Sequence, residues 1–334
     1  MSLSYHLVVP DLFLPQQLAA AACDGLVIPA LEKLLARAQP QSLPAATLED
    51  WLCKSFGVAG QAIAPITLLA DGMQPDTAYW LRADPVHIQM QRDQMTLRPD
   101  VSVTAGEAAQ LCDSLNAHFA ADGLRFISPH SQRWYLQLDA APNIVTRPVA
   151  QAAGRNVHAH LPHGADALRW NGVFNEIQML FHEHPVNQAR EARGELSINS
   201  LWLWGGGHAT TQLAQPYSRV DGDSPLAGAF AQAAGIPCAT DNFTVAEGGG
   251  EVLLVWEGLR HALHQGDLTA WRDAVHRLEQ SCAAPLWQAL CSGRIARLTL
   301  DVPNAGGTHR FVLTRSAMWK VWRLPRSLMH YALV

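Results

Sequence analysis

Asp11 closes a short apolar run, His6 to Pro10. A carboxylate at a strand end can ligate a metal or face a phosphate, and it is also a common cap or turn residue. His158, His160 and His163 have metal-like spacing, but no Cys or carboxylate lies close to them. His182 and His184 flank Glu183, so they do not share a helical face and lack the i,i+4 geometry of a zinc helix. His261 and His264 stand three apart, beside Glu257 and Asp267, and would share a face. Arg82, Arg133, Arg190 and Arg193 suit bidentate contact with phosphate or carboxylate, although such residues more often form surface salt bridges. Neither a G-x-S-x-G elbow nor a G-x-x-x-x-G-K-[ST] loop occurs.

Composition narrows the classes. The 334 residues are 49% apolar and 16% charged, which fits a folded chain of two domains rather than a disordered one. The net charge of −5, without a basic tail or charge block, argues against nucleic-acid partners. No stretch approaches the roughly 20 apolar residues of a membrane span, and M-S-L-S-Y-H lacks the basic start of a signal peptide. Six well-separated cysteines without a C-x-x-C pair fit buried, inert thiols in a reducing cytoplasm. No membrane partner is expected.

These residues need elements to hold them. Helical periodicity runs from Leu18 to Leu35 with a break at Pro29. Ala45 to Lys54 reads as a helix capped by Thr47 with Asp50 three residues on, and Thr104 with Glu107 opens another. Ile66 to Leu69 fits either a helical turn or a strand. Val86–Met90 and Met95–Leu97 alternate around Arg92-Asp93-Gln94 as a hairpin, and Leu124–Ile127 and Arg133–Leu138 read as strands. Ala165 to His184 is a helix interrupted at Pro185. Ile198 to Trp204 is apolar on both faces, like a buried parallel strand, and runs into Gly205-Gly206-Gly207, a side-chain-free loop of the kind that binds ligands at a sheet's carboxyl end. Later come a helix at Pro225–Gly235, a buried strand at Glu251–Trp256, a long helix from Asp267 to Leu290 broken near Pro285, and strands at Ile295–Val302 and Arg310–Thr314. Alternating strands and helices at both ends, with a different pattern between, predict an α/β fold. Its mostly parallel core sheet, with helices on both faces, spans residues 1–78 and 186–334, and a smaller α+β domain is inserted at 79–185.

The order of pieces resembles the archaeal-type cofactor-independent phosphoglycerate mutases of the alkaline phosphatase superfamily. It resembles still more their bacterial relatives, the RpfE-like regulatory proteins. I-P-A-L-E-K-L-L-A-R-A (28–38), A-P-I-T-L-L-A-D-G (64–72), W-L-R-A-D-P-V (80–86) and above all H-P-V-N-Q-A-R-E-A-R-G-E-L-S-I-N-S-L-W-L-W-G-G-G (184–207) carry the resemblance. It implies a two-metal site and a serine phosphorylated in turnover. Asp11 fits the first metal aspartate, although the glycine that usually follows is Leu12. The nucleophile run is matched by Gly60-Gln61-Ala62-Ile63-Ala64, with glutamine in place of serine. The D-E-x-x-H-x-G-D run falls on Arg260 to Asp267, keeping His264 and Asp267 but placing Arg260 at the leading aspartate. Asp301 matches a late metal aspartate whose histidine neighbour is Val302, and His309 matches loosely the last metal histidine.

The resemblance therefore implies a non-catalytic protein with a binding or regulatory role. Its ligand would be a small anionic or phosphorylated compound on Arg82, Arg133, Arg190 and Arg193 between core and insert, with a protein partner as a further possibility and no cofactor. The alternative is an active mutase or phosphohydrolase. In it Asp11, His264, Asp267, Asp301 and His309 hold a divalent metal (Mn or Zn), and Thr67 supplies the hydroxyl.

Overall fold

The computed structural model describes residues 2–91, 94–210, 212–239, 243–304 and 306–331. In chain order they form β1 (Leu3–Val8), α1 (Gln16–Cys23), α2 (Pro29–Arg37), β2 (Gln39–Leu43), α3 (Leu48–Ser55), α4 (Ile63–Ala70), β3 (Tyr79–Gln91), β4 (Gln94–Arg98), α5 (Ala105–His118), β5 (Arg125–His130) and β6 (Arg133–Leu138). Next come α6 (Val149–Ala152), α7 (Ala167–His182), α8 (Pro185–Ala192), β7 (Ser200–Gly207), β8 (Arg219–Gly222), α9 (Pro225–Ala233), β9 (Cys238–Ala239) and β10 (Gly250–Val255). The chain closes with α10 (Arg260–His264), α11 (Leu268–Leu278), α12 (Ala284–Ser292), β11 (Arg297–Val302), β12 (Thr308–Thr314) and α13 (Leu328–Tyr331). Two compact units result, residues 1–57 with 213–334, and residues 58–212.

The first unit is a seven-stranded sheet in the order β2-β12-β11-β1-β10-β8-β9. Strands β11, β1, β10, β8 and β9 are parallel, and β12 and β2 add an antiparallel edge. Alternation along the strands divides the two faces. Tyr5, Leu7, Leu298, Leu300, Phe311 and Leu313 face the core shared with α1, α2, α11 and α12. His6 and Asp301 lie on the opposite face, where Trp51 of α3 meets both. The break near Pro285 is a π-helical turn at Glu279–Ala283, after which Pro285 stands in the first turn of α12, where a missing N–H costs nothing. The Glu279 carboxylate accepts from the Ala30 and Leu31 amides, satisfying the free N–H groups that open α2.

The second unit is an antiparallel sheet around β3, which pairs with β4, β6 and β7, while β5 pairs with β6. Arg92 and Asp93 of the expected hairpin turn, and Ala305 of the β11–β12 turn, lie outside the described residues. Ile66–Leu69 is helical, within α4, and residues 58–78 and 186–212 fold with this unit.

Strand β7 corrects an expectation. It is antiparallel to β3, not part of a parallel sheet. Leu201 and Leu203 join the core under α5 and α7, while the indoles of Trp202 and Trp204, on the other face, bond to the Arg147 carbonyl and Asp84. A strand apolar on both faces reports cover on both faces, not parallel neighbours. The three glycines are likewise part of the strand rather than a ligand loop. A Cβ at Gly206 would overlap Tyr79, and one at Gly207 would overlap Ala62, just ahead of α4. Of the six cysteines, Cys53, Cys112 and Cys282 are buried, and burial pushes their thiols up to about 12, but Cys238 and Cys291 are exposed.

Gly207→Ala should destabilise the protein by about 1–3 kcal/mol through overpacking. Denaturant unfolding checks this: the midpoint should fall with the slope unchanged, and an unshifted midpoint would mean the contact yields freely.

Candidate functional site

In the first unit, the carboxyl ends of the parallel strands gather charge around one guanidinium. Arg260 opens α10 just after β10. Its Nε bonds to Asp11 at 3.3 Å, and its Nη1 bonds to Glu49 at 3.0 Å and Glu257 at 3.1 Å. Asp11 follows β1 and is the non-glycine residue with positive φ (62°) among the described residues, a conformation aspartate tolerates. Glu49 comes from the first turn of α3, where the helix N-terminus favours an acid. Glu257 also accepts from the Ser224 hydroxyl, and Asp223 accepts the Glu257 amide at 2.6 Å. Burial pushes the Glu257 carboxyl up, against the pull of Arg260 and Ser224, and it pushes Asp223 up as well. The Glu49 and Arg260 side chains are only 4% and 14% exposed, so neither charge is held mainly by solvent.

This cluster tests the implied metal. Arginine carries five donors and no acceptor, so it fills an acidic pocket with charge but offers no orbital to a substrate oxygen. Asp267 and Asp301 are engaged with other partners. Asp267 caps α11, accepting the Ala270 amide at 2.9 Å, and His264 ends α10 one turn earlier. Asp301 accepts from His6, the Trp51 indole at 2.8 Å and both arms of Arg310 at 2.7 Å. Burial would raise this carboxyl, but Arg310 and His6 outweigh it and hold it far below the usual carboxylate range. Its contribution to stability is therefore present above about pH 4 and is lost only as pH falls well below that. His309 pairs with Val302 and packs edge-on against Phe13 on the opposite sheet face, where burial lowers its pKa. Among the described residues no group of three His, Cys, Asp or Glu side chains could hold a metal ion. The residues present do not fit the two-metal centre that the resemblance implies.

In the second unit each expected anion-binding arginine has a carboxylate partner. Arg82 is buried against Asp84 (Nε to Oδ1 3.0 Å) and stacked between Tyr135 and Trp204. Arg133 holds Asp71 through Nε at 3.0 and 3.1 Å, and Tyr135 donates to the same carboxylate at 2.6 Å. Although burial opposes it, Arg133 and Tyr135 hold Asp71 below its usual pKa. Arg190 and Arg193 share Glu107 and Glu195 away from that cluster. Only Arg133 and Arg193 of the four show much surface to solvent, with side chains 32% and 49% exposed. Thr67, buried in α4, shares its hydroxyl hydrogen between the Ile63 and Ala64 carbonyls at 3.2 Å and also meets the Tyr135 side chain.

The H-P-V-N segment is an internal clamp. His184 caps α8 and Pro185 follows in its first turn. The buried Asn187 amide donates to the Phe181 and Ile198 carbonyls and accepts the Ile198 amide, each at 2.8 Å. Arg190 Nε reaches the Leu196 carbonyl at 2.8 Å.

No protein-family model matches the chain. It is 32% identical over 107 residues to the 2,3-bisphosphoglycerate-independent phosphoglycerate mutase of Methanothrix thermoacetophila, covering 32% of this chain and 27% of that protein. It is 28% identical over 109 residues to the enzyme of that name from Methanosarcina acetivorans, covering 32% and 28%. The matches thus span little more than a quarter of these relatives. Among solved structures, a Pyrococcus horikoshii protein superposes with a TM-score of 0.55 at 11% identity, over 94% of this chain and 87% of that one. The cofactor-independent phosphoglycerate mutase of Thermoplasma acidophilum matches at 15% identity with a TM-score of 0.48, over 98% and 94%. The chain is a mixed α/β protein similar in sequence to the archaeal-type cofactor-independent phosphoglycerate mutases.

Proposed function

We propose that this protein is a non-catalytic relative of the phosphoglycerate mutases with a binding or regulatory role. The observation that carries the reading is Arg260, at the position of a metal-ligand aspartate, with Asp11, Glu49 and Glu257 around its guanidinium. Gln61 at the serine position supports it, because an amide is not an oxygen nucleophile. The proposed ligand is a small anionic or phosphorylated compound. Arg133, pre-oriented by Asp71 and partly open to solvent, is the arginine best placed to meet it. The names of the relatives favour the second reading, an active mutase or phosphohydrolase.

Interconversion of 2- and 3-phosphoglycerate, assayed with added manganese, separates the two. The expected result is no turnover above background, with 3-phosphoglycerate raising the melting temperature of the wild type and not of Arg133→Ala. Metal-dependent turnover that disappears in Asp11→Ala would overturn the reading.

Arg260→Met should cost roughly 3–5 kcal/mol, since it strips the cation from the largely buried Glu49 and Glu257. That deficit should shrink as pH falls from about 7 to 5. Burial already raises Glu257, so acidification protonates that carboxylate once its cation is gone. Denaturant unfolding of both proteins at the two pH values measures it. A pH-independent deficit would mean that packing, not charge, is what Arg260 contributes.

A further inference from the structure

Residues 302–334 carry five of the chain's 24 Lys and Arg and none of its 29 Asp and Glu, so this stretch is +5 while the rest is −10. Whole-chain charge conceals that asymmetry. Arg310 is neutralised by Asp301, but the remaining cations, Arg315, Lys320, Arg323 and Arg326, fall within twelve residues. Arg323 bonds to the Ala38 carbonyl at 2.8 Å and Arg326 to the His330 ring at 2.5 Å, and neither acceptor is an acid. Interleaved with them are Trp319, Val321, Trp322 and Leu324, which are 77%, 63%, 73% and 73% exposed. The segment is nonetheless fixed to the first unit, because Arg37 also donates to the Met318 carbonyl at 2.8 Å.

Beside this segment lies a groove of about 690 Å³. Leu35, Ala38, Phe311, Trp322, Leu324 and Tyr331 give it apolar surface, and Arg323 and Arg326 line it with positive charge. Pro40, Gln41 and Ser42 of β2, the edge strand of the seven-stranded sheet, line the same groove. An edge strand offers main-chain donors and acceptors to an extended segment, and a neighbouring pocket takes one of that segment's side chains. Exposed tryptophan beside arginine is the composition of interface anchors.

We propose that this face docks an extended, acidic protein segment that places a large apolar side chain in the groove. Charge complementarity selects an acidic partner. Concavity selects a peptide over a bilayer, since a flat lipid surface covers protruding side chains but does not fill a groove.

Selection of a phage-displayed random peptide library on the full-length chain tests this, with Trp322→Ala/Leu324→Asp as the counter-selecting variant. The expected winners combine Asp or Glu with an aromatic or aliphatic residue. Synthesised, they should bind the wild type at least roughly tenfold more tightly than either that variant or Lys320→Glu/Arg326→Glu, and less tightly as salt rises. Circular dichroism and melting temperature confirm that the variants fold. No enrichment over the variant, or winners without acidic residues, would overturn the proposal. So would self-association of the wild type that Trp322→Ala/Leu324→Asp abolishes, or cosedimentation with phosphatidylglycerol vesicles that the selected peptide does not displace.

Discussion

One guanidinium, that of Arg260, ties together the ends of three elements that are distant in sequence. Asp11 follows β1, Glu49 begins α3, and Glu257 follows β10. Glu49 and Glu257, with side chains 4% and 18% exposed, would alone be expensive charges to hold at the edge of an apolar sheet, and they are tolerable because a cation that keeps its proton at any accessible pH stands between them. The cluster leaves the strand ends of the fold intact but changes what they can do. A metal ion both balances carboxylates and accepts a substrate oxygen. Arginine does the first, and meets an oxygen only through its N–H donors.

The second unit repeats this pattern of internal neutralisation. Arg82 with Asp84, Arg133 with Asp71, and Arg190 and Arg193 with Glu107 and Glu195 are paired within the unit. The segment that carries the resemblance in sequence, residues 184–207, works as a clamp: Asn187 fastens the end of α7 to the residues just ahead of β7. Its likeness to the relatives therefore speaks for architecture more than for chemistry.

What could be read from sequence was local. The capping boxes of Thr47 with Asp50 and Thr104 with Glu107 form as expected, because both halves of each box lie within four residues. The parallel core strands and their flanking helices followed from apolar runs and their spacing. Strand pairing did not. Ser200–Gly207 looks the same whether its neighbour is parallel or antiparallel, and β3 lies more than a hundred residues away in the chain. The site was half legible. Arg260 was visible as a departure from the family pattern, but Glu49 was not, since nothing local marks a first-turn acid as the partner of an arginine 211 residues on. Asp301 and His309 illustrate the same limit. Both were expected as ligands of one metal, yet strand alternation puts their side chains on opposite faces of the sheet.

Under the proposed function, Arg260 supplies the positive charge that a metal would supply among these carboxylates. Metal content tests it most directly. The wild-type protein, incubated with manganese and zinc and then dialysed, would be measured by elemental analysis. The account predicts substoichiometric metal. Retention of one or more equivalents per chain, lost on Asp11→Ala, would contradict it.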